Sequence, residues 1–187
     1  MMAMAESVKT QSAPIHVMTT GSPGFHELNQ EDYVATLTTF AEWGDPKAQH
    51  DLAALYLEGL DVDQDFAAAL KWHTLAAQQG NILSQHDLAT MYLEGLGVTP
   101  DPEAAFTWFL EAATHGDAKA QNNLGILYAT GTGVALDIIE AAQWFLSAES
   151  QGMLDATENL EIAKEEMTPE QLQEATMRFQ LRQRGET

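Results

Sequence analysis

Two short runs and one pair of histidines in this 187-residue chain carry residue types that do chemistry. Asp61-x-Asp63-x-Asp65 opens like a calcium loop. Such a loop needs glycine at its sixth place and glutamate at its twelfth, and here those places hold Phe66 and Trp72. The run therefore reads as a connecting loop that ends in a helix N-cap. Ser84-Gln85-His86-Asp87 contains the letters of a hydrolytic triad. On one helix these side chains point in different directions, so they cannot form a serine–base–carboxylate relay among themselves. His50 and His86 stand 36 residues apart, and helices stacked about 8–10 Å from one another can bring such a pair to one ion. No third ligand accompanies them, so neither a metal site nor a cofactor is expected.

Other catalytic signatures are missing. The chain has no G-x-S-x-G, S-x-x-K, phosphate-binding loop or H-E-x-x-H. It has no cysteine, which excludes disulfides, thiolate zinc sites and cysteine nucleophiles. No run is apolar enough to cross a membrane, and the first 25 residues lack the continuous apolar core of a secretory signal. A non-enzymatic, soluble cytoplasmic protein is expected. The net charge of −20 is concentrated in residues 28–163, where 21 acids face three lysines. Nucleic acids and anionic membranes are repelled by such a surface and are not expected partners. Hydrophobic residues make up 45% of the chain, enough for a packed core beneath this charge.

What must position any site is a repeat. Windows 44–79, 80–115 and 116–151 align without a gap, and ten columns are identical in all three, among them Gln49/Gln85/Gln121, Leu52/Leu88/Leu124 and Trp72/Trp108/Trp144. Each window reads as two helices. Asp45, Asn81 and Asp117 suit the N-cap of the first, and Gly59, Gly95 and Gly131 suit its left-handed end. Asp65, Asp101 and Asp137 cap the second, and apolar residues between these signals recur at helical spacing (Leu52, Leu55, Tyr56; Ala69, Trp72, Ala76). Residues 1–27 are expected to be a flexible N-terminal segment. The repeat domain spans 28–164: a half-repeat at 29–43, the three windows, and a degenerate helix at 152–166 in which Glu161 and Lys164 replace fixed positions. Thr168-Pro169-x-Gln171 opens a C-terminal capping helix over 168–184, whose apolar face (Leu172, Ala175, Phe179) can lie on the last repeat.

The shared small-residue, tyrosine, glycine-loop and tryptophan columns resemble the Sel1-like repeat, a 36-residue relative of the tetratricopeptide repeat, over about residues 29–164. The resemblance implies an all-α, right-handed α-solenoid with first helices lining a concave face. It also implies an interaction scaffold for other proteins, such as an adaptor, a regulator or a toxin-neutralising inhibitor. A cysteine-rich branch of that family is associated with β-lactam binding or hydrolysis, and the lack of cysteine separates this chain from it. Fixed aromatic columns read as packing. His73, in the column of Phe109 and Phe145, reads as a half-buried packing histidine beside Lys71 or a backbone carbonyl.

The free columns are more informative. On first helices lining a groove, outward positions are Lys47, Leu83 and Lys119; His50, His86 and Asn122; Thr90 and Ile126; Leu57 and Leu93; Glu58 and Glu94. They form an apolar strip beside a His–His–Asn ladder with a glutamate edge. That pattern suits a basic or amphipathic segment of another protein. An acidic mimic of nucleic acid, or a high-salt habitat, is the competing explanation of the charge.

Overall fold

The computed structural model describes residues 30–185, so the segment 1–27 lies outside the described residues. Among the described residues there are nine helices and no strand: α1 (Gln30–Glu42), α2 (Pro46–Glu58), α3 (Phe66–Gln78), α4 (Ile82–Glu94), α5 (Pro102–Thr114), α6 (Ala118–Thr130), α7 (Ile138–Glu149), α8 (Leu154–Glu166) and α9 (Pro169–Arg184). Each helix from α1 to α7 packs on the next in sequence, which makes the fold an all-α solenoid of helical repeats.

Local chemistry explains the boundaries. The side chains of Asp45, Asn81 and Asp117 accept hydrogen bonds from the backbone N–H of Ala48, Ser84 and Ala120, as first-helix caps. Asp65, Asp101 and Asp137 do the same for α3, α5 and α7. Asp61 stands where Gly97 and Gly133 stand and shares their left-handed backbone, at φ 63°. The glycines there have a second reason. A Cβ on Gly133 would lie 2.1 Å from the Pro102 carbonyl oxygen, so the loop presses directly on the start of α5.

Packing comes from the fixed columns. Leu52, Leu88, Leu124 and Leu160 are fully buried, and Ala69, Ala105 and Ala141 let helices approach closely. Each such leucine contributes roughly 1.5–3 kcal/mol through burial. The glutamine column has a different task. Gln49, Gln85 and Gln121 donate from Nε2 to the carbonyls of Ala41, Ala77 and Ala113, tying each first helix to the end of the helix before it.

The C-terminal end departs from the pattern. Thr168 and Gln171 form a full capping box that opens α9. Yet α9 makes at most marginal contact with α8 and lies instead on α7, where Ala175 is buried against Ala141, Ala142 and Phe145. Arg182 sits over the Trp144 ring at 4.4 Å and reaches Glu140. Among the described residues only α7 and α6 pack on α8 to any extent, so Glu161 is exposed and charged there, and it pairs with Lys164 at 2.7 Å.

Candidate functional site

The first-helix columns fall into exposed and enclosed positions. Lys47, Leu83, Lys119, Glu58 and Glu94 are exposed, and Lys47 is held by Asp51 one turn on. Leu57, Leu93 and Thr90 are half-buried, the Thr90 hydroxyl donating to the His86 carbonyl. Ile126 is exposed. Two of these columns continue into α8: Ile162 stands 36 residues after Ile126, and Glu166 stands 36 after Thr130 in the column of Glu58 and Glu94. Ile126, Ala129, Thr130, Ile162 and Glu166 line one cleft of about 250 Å³, with Phe145 among its walls. Sequence reasoning missed Ile162 and Glu166, although the 36-residue offset points to both.

The His–His–Asn ladder is placed differently from its expected outward position. Asn122 is buried, and its Oδ1 accepts from Asn159 Nδ2 at 2.9 Å. His86 Nε2 meets Asn123 Nδ2 at 3.3 Å, and His50 Nδ1 meets Ser84 Oγ at 3.1 Å. Each rung thus reaches across to the next first helix. A polar side chain satisfied by a neighbouring repeat has no need of solvent.

The most polar of these seams joins the first and second repeats. Four positions meet there: His50 from α2, His73 from α3, and Ser84 and Asp87 from α4. His73 is fully buried rather than half-buried, and Lys71 lies away over the Trp72 ring. The His73 Nδ1 is 3.3 Å from Ser84 Oγ, and its Nε2 is 3.9 Å from Asp87 Oδ2. That is too long for a hydrogen bond, so the buried Nε2 has no partner. His50 Nδ1 approaches the same carboxylate oxygen at 3.7 Å. The other oxygen, Oδ1, is held by His86 Nδ1 at 3.2 Å.

Burial lowers the His73 pKa to about 4, partly opposed by the Asp87 charge, so the ring is neutral near pH 7. Burial of Asp87 works against its charge, but the hydrogen bond from His86 and the nearby His73 hold its carboxyl below the usual range. A serine, a histidine and an aspartate therefore do meet, through His73 rather than His86. Ser84 has no exposed surface, so its hydroxyl is closed to a substrate in this arrangement. His50, His73 and Asp87 offer three ligand atoms, all within 4.8 Å of one another. His86 is not part of this trio; its Nδ1 faces Asp87 Oδ1 and its Nε2 faces Asn123. Asp65, the last acid of the calcium-like run, is occupied in capping Ala67 and Ala68.

No helix among the described residues is long and apolar enough to cross a membrane. The profile described as Sel1 repeat matches residues 46–81, 82–117 and 118–153. A protective antigen present in uropathogenic Escherichia coli strains, which displays an SLR fold, is 35% identical with a TM-score of 0.74. The match covers 80% of this chain and 32% of the antigen, so the chain spans about a third of that protein's length. A Sel1 repeat protein from Oxalobacter formigenes is 36% identical with a TM-score of 0.64, over 69% of this chain and 97% of that one. The cysteine-rich protein B of Helicobacter pylori shares the fold at 18% identity and a TM-score of 0.55, over 71% of this chain and 95% of that one. No curated protein matches in sequence.

Proposed function

Since the chain belongs to the Sel1 repeat family, whose members generally mediate protein–protein interactions, we propose that it is a non-catalytic interaction module. It holds a basic, amphipathic segment of another protein along the face presented by α2, α4, α6 and α8, as a cytoplasmic adaptor, regulator or toxin-neutralising inhibitor. The observation that carries this reading is the return of two columns in α8, one of them after a break at Thr130. An apolar one runs through Ile126 to Ile162, and a glutamate edge runs through Glu58, Glu94 and Glu166. The degenerate helix α8 has given up positions used for stacking but keeps these two. Exposed isoleucines beside a glutamate edge suit a ligand with apolar and cationic side chains. Lys47, Leu83, Thr90, Leu57, Leu93 and Lys119 extend the same face toward the first repeat. His50 and His86 show only their edges to it, and Asn122 takes no part.

A displayed library of random peptides, selected on the full chain at low and at high salt, tests this. Enriched sequences should combine Lys or Arg with apolar residues and bind more weakly as salt rises. The Ile126→Asp/Ile162→Asp variant should bind them at least about tenfold more weakly, since two apolar contacts of the cleft are lost. Enrichment without basic residues, or unchanged binding by that variant, would count against the reading.

A further inference from the structure

The seam between the first two repeats cannot be explained as packing. The matching positions of the next seam are His86, Phe109, Ala120 and Asn123, and those of the third are Asn122, Phe145, Ala156 and Asn159. Phe109, Phe145, Ala120 and Ala156 are buried and close both seams with carbon. In the first seam the phenylalanine is replaced by His73, the alanine by Ser84 and the asparagine by Asp87, while His50 takes the place held by His86 and Asn122. Three polar replacements, scattered over 15 residues of sequence, converge on one spot. Burying the His73 imidazole there costs free energy, and its Nε2 recovers none of that cost as a hydrogen bond.

We propose that His50, His73 and Asp87 form a binding site for one divalent first-row transition-metal ion, with Zn2+ as the reference ion. The ligand set is two imidazoles and one carboxylate, which suits Zn2+ or Fe2+ and not Ca2+ or Mg2+, whose sites are built from oxygen. The spacing suits an ion as well. Bonds of about 2.0–2.2 Å in a tetrahedral site put ligand atoms about 3.4 Å apart. The carboxylate oxygen lies 3.7 Å from His50 Nδ1 and 3.9 Å from His73 Nε2, and all three ligand atoms lie within 4.8 Å of one another, so side-chain rotations that draw the ligand atoms together close the site.

The surrounding groups are those a metal site uses. Ser84 Oγ can accept from His73 Nδ1–H, which turns the lone pair of Nε2 toward Asp87. His86 and then Asn123 hold the other carboxylate oxygen from behind. His50 and Asp87 are only partly covered, with 16% and 31% of their side chains exposed, which gives an ion a path from the first-helix face. An ion there ties together α2, α3 and α4, and three protein ligands leave one position open. The inference is independent of the peptide-binding reading, since neither needs the other.

The test is competition for Zn2+ between a chromophoric chelator and the full chain, with the visible spectrum of bound Co2+ as a second readout. The intact protein should take up one Zn2+ per chain and gain thermal stability from it, while Ca2+ and Mg2+ should do neither. His73→Phe/Ser84→Ala restores the residues of the second seam, and His50→Asn copies the third. Both should keep full helical circular dichroism and bind Zn2+ at least about tenfold more weakly, and Asp87→Asn should weaken it similarly. His16→Ala/His26→Ala should leave it unchanged. A wild-type chain that cannot compete with the chelator would overturn the proposal, as would equal affinity in wild type and the two seam-mimicking variants.

Discussion

The first and second seams of the stack have the same helices on either side and the same fixed leucine, glutamine and small-residue columns, yet their centres differ. Around His73 sit a hydroxyl, a second imidazole and a carboxylate; around Phe109 sit Ala120 and the edge of His86, 5.6 Å from ring to ring. His50 and His73 keep nearly the same ring-to-ring spacing, 5.5 Å. The shared columns fix the scaffold, and what a seam can bind is decided by residues free to differ. A repeat protein gains a site by changing three or four side chains at one junction while its neighbours remain the unmodified reference.

Exchanging residues between the seams breaks this comparison most sharply. Phe109→His alone puts a buried imidazole where no carboxylate or hydroxyl answers it, and leaves a void as well. We expect a loss of about 3 kcal/mol by urea unfolding. The reverse exchange, His73→Phe/Ser84→Ala measured in chelator at pH 7, should stay within about 1 kcal/mol of wild type. Equal losses for the two exchanges would mean that the seams are not equivalent scaffolds.

Acid should separate the seams next. The His73 pKa is depressed in the folded chain, so the unfolded chain binds more protons between pH 6.5 and about 4. The stability this group contributes is therefore present above pH 6.5 and falls with pH across that window. The chain without metal should lose about 2 kcal/mol between pH 7 and pH 5. Asp87 and His50 face the same ring, but the Asp87 pKa lies below its ordinary value of 3.8, so its carboxyl stays charged through this range. His73→Phe/Ser84→Ala should abolish most of the slope. A slope that survives this double substitution would place its origin elsewhere.

A smaller difference lies in the glutamine column. Gln79 and Gln151 each donate to the Oε1 of a fixed glutamine, Gln49 and Gln121, at 2.8 Å. The matching residue in the second repeat is His115, which turns to the Glu111 carbonyl and leaves Gln85 Oε1 buried without a partner. His115→Gln should raise stability by about 1 kcal/mol, read as a shift in the urea midpoint at constant slope. No change would show that water already serves that oxygen.

Much of the fold was legible because its signals are local. A cap is an interaction over two or three residues, and a period of 36 needs only the chain laid beside itself. The lie of α9 on the last repeat was legible in its apolar spacing, since Ala175 packs with Ala141, Ala142 and Phe145 of α7; that it leaves α8 nearly uncovered was not, because a capping box fixes only where a helix starts. In the site, helical spacing correctly marked Leu83, Ile126, Glu58 and Glu94 as exposed. It misplaced Asn122, because a polar residue was assigned to solvent when its partner, Asn159, stood one repeat further on. The His50–His73–Asp87 cluster was hidden for a related reason. The column of His73 shows only phenylalanines beside it, and the sequence around Asp87 shows only its helix neighbours. The usable signal was that departures in separate columns coincide at a single junction.

Location of the ion is the most direct measurement. Crystals of the full chain grown with Zn2+ and measured at the zinc absorption edge should show one strong anomalous peak, within about 2.2 Å of a ring nitrogen of His50, of His73 Nε2 and of an Asp87 oxygen. An intact repeat stack with no peak between α2, α3 and α4, or with zinc held only by other residues, would contradict the account.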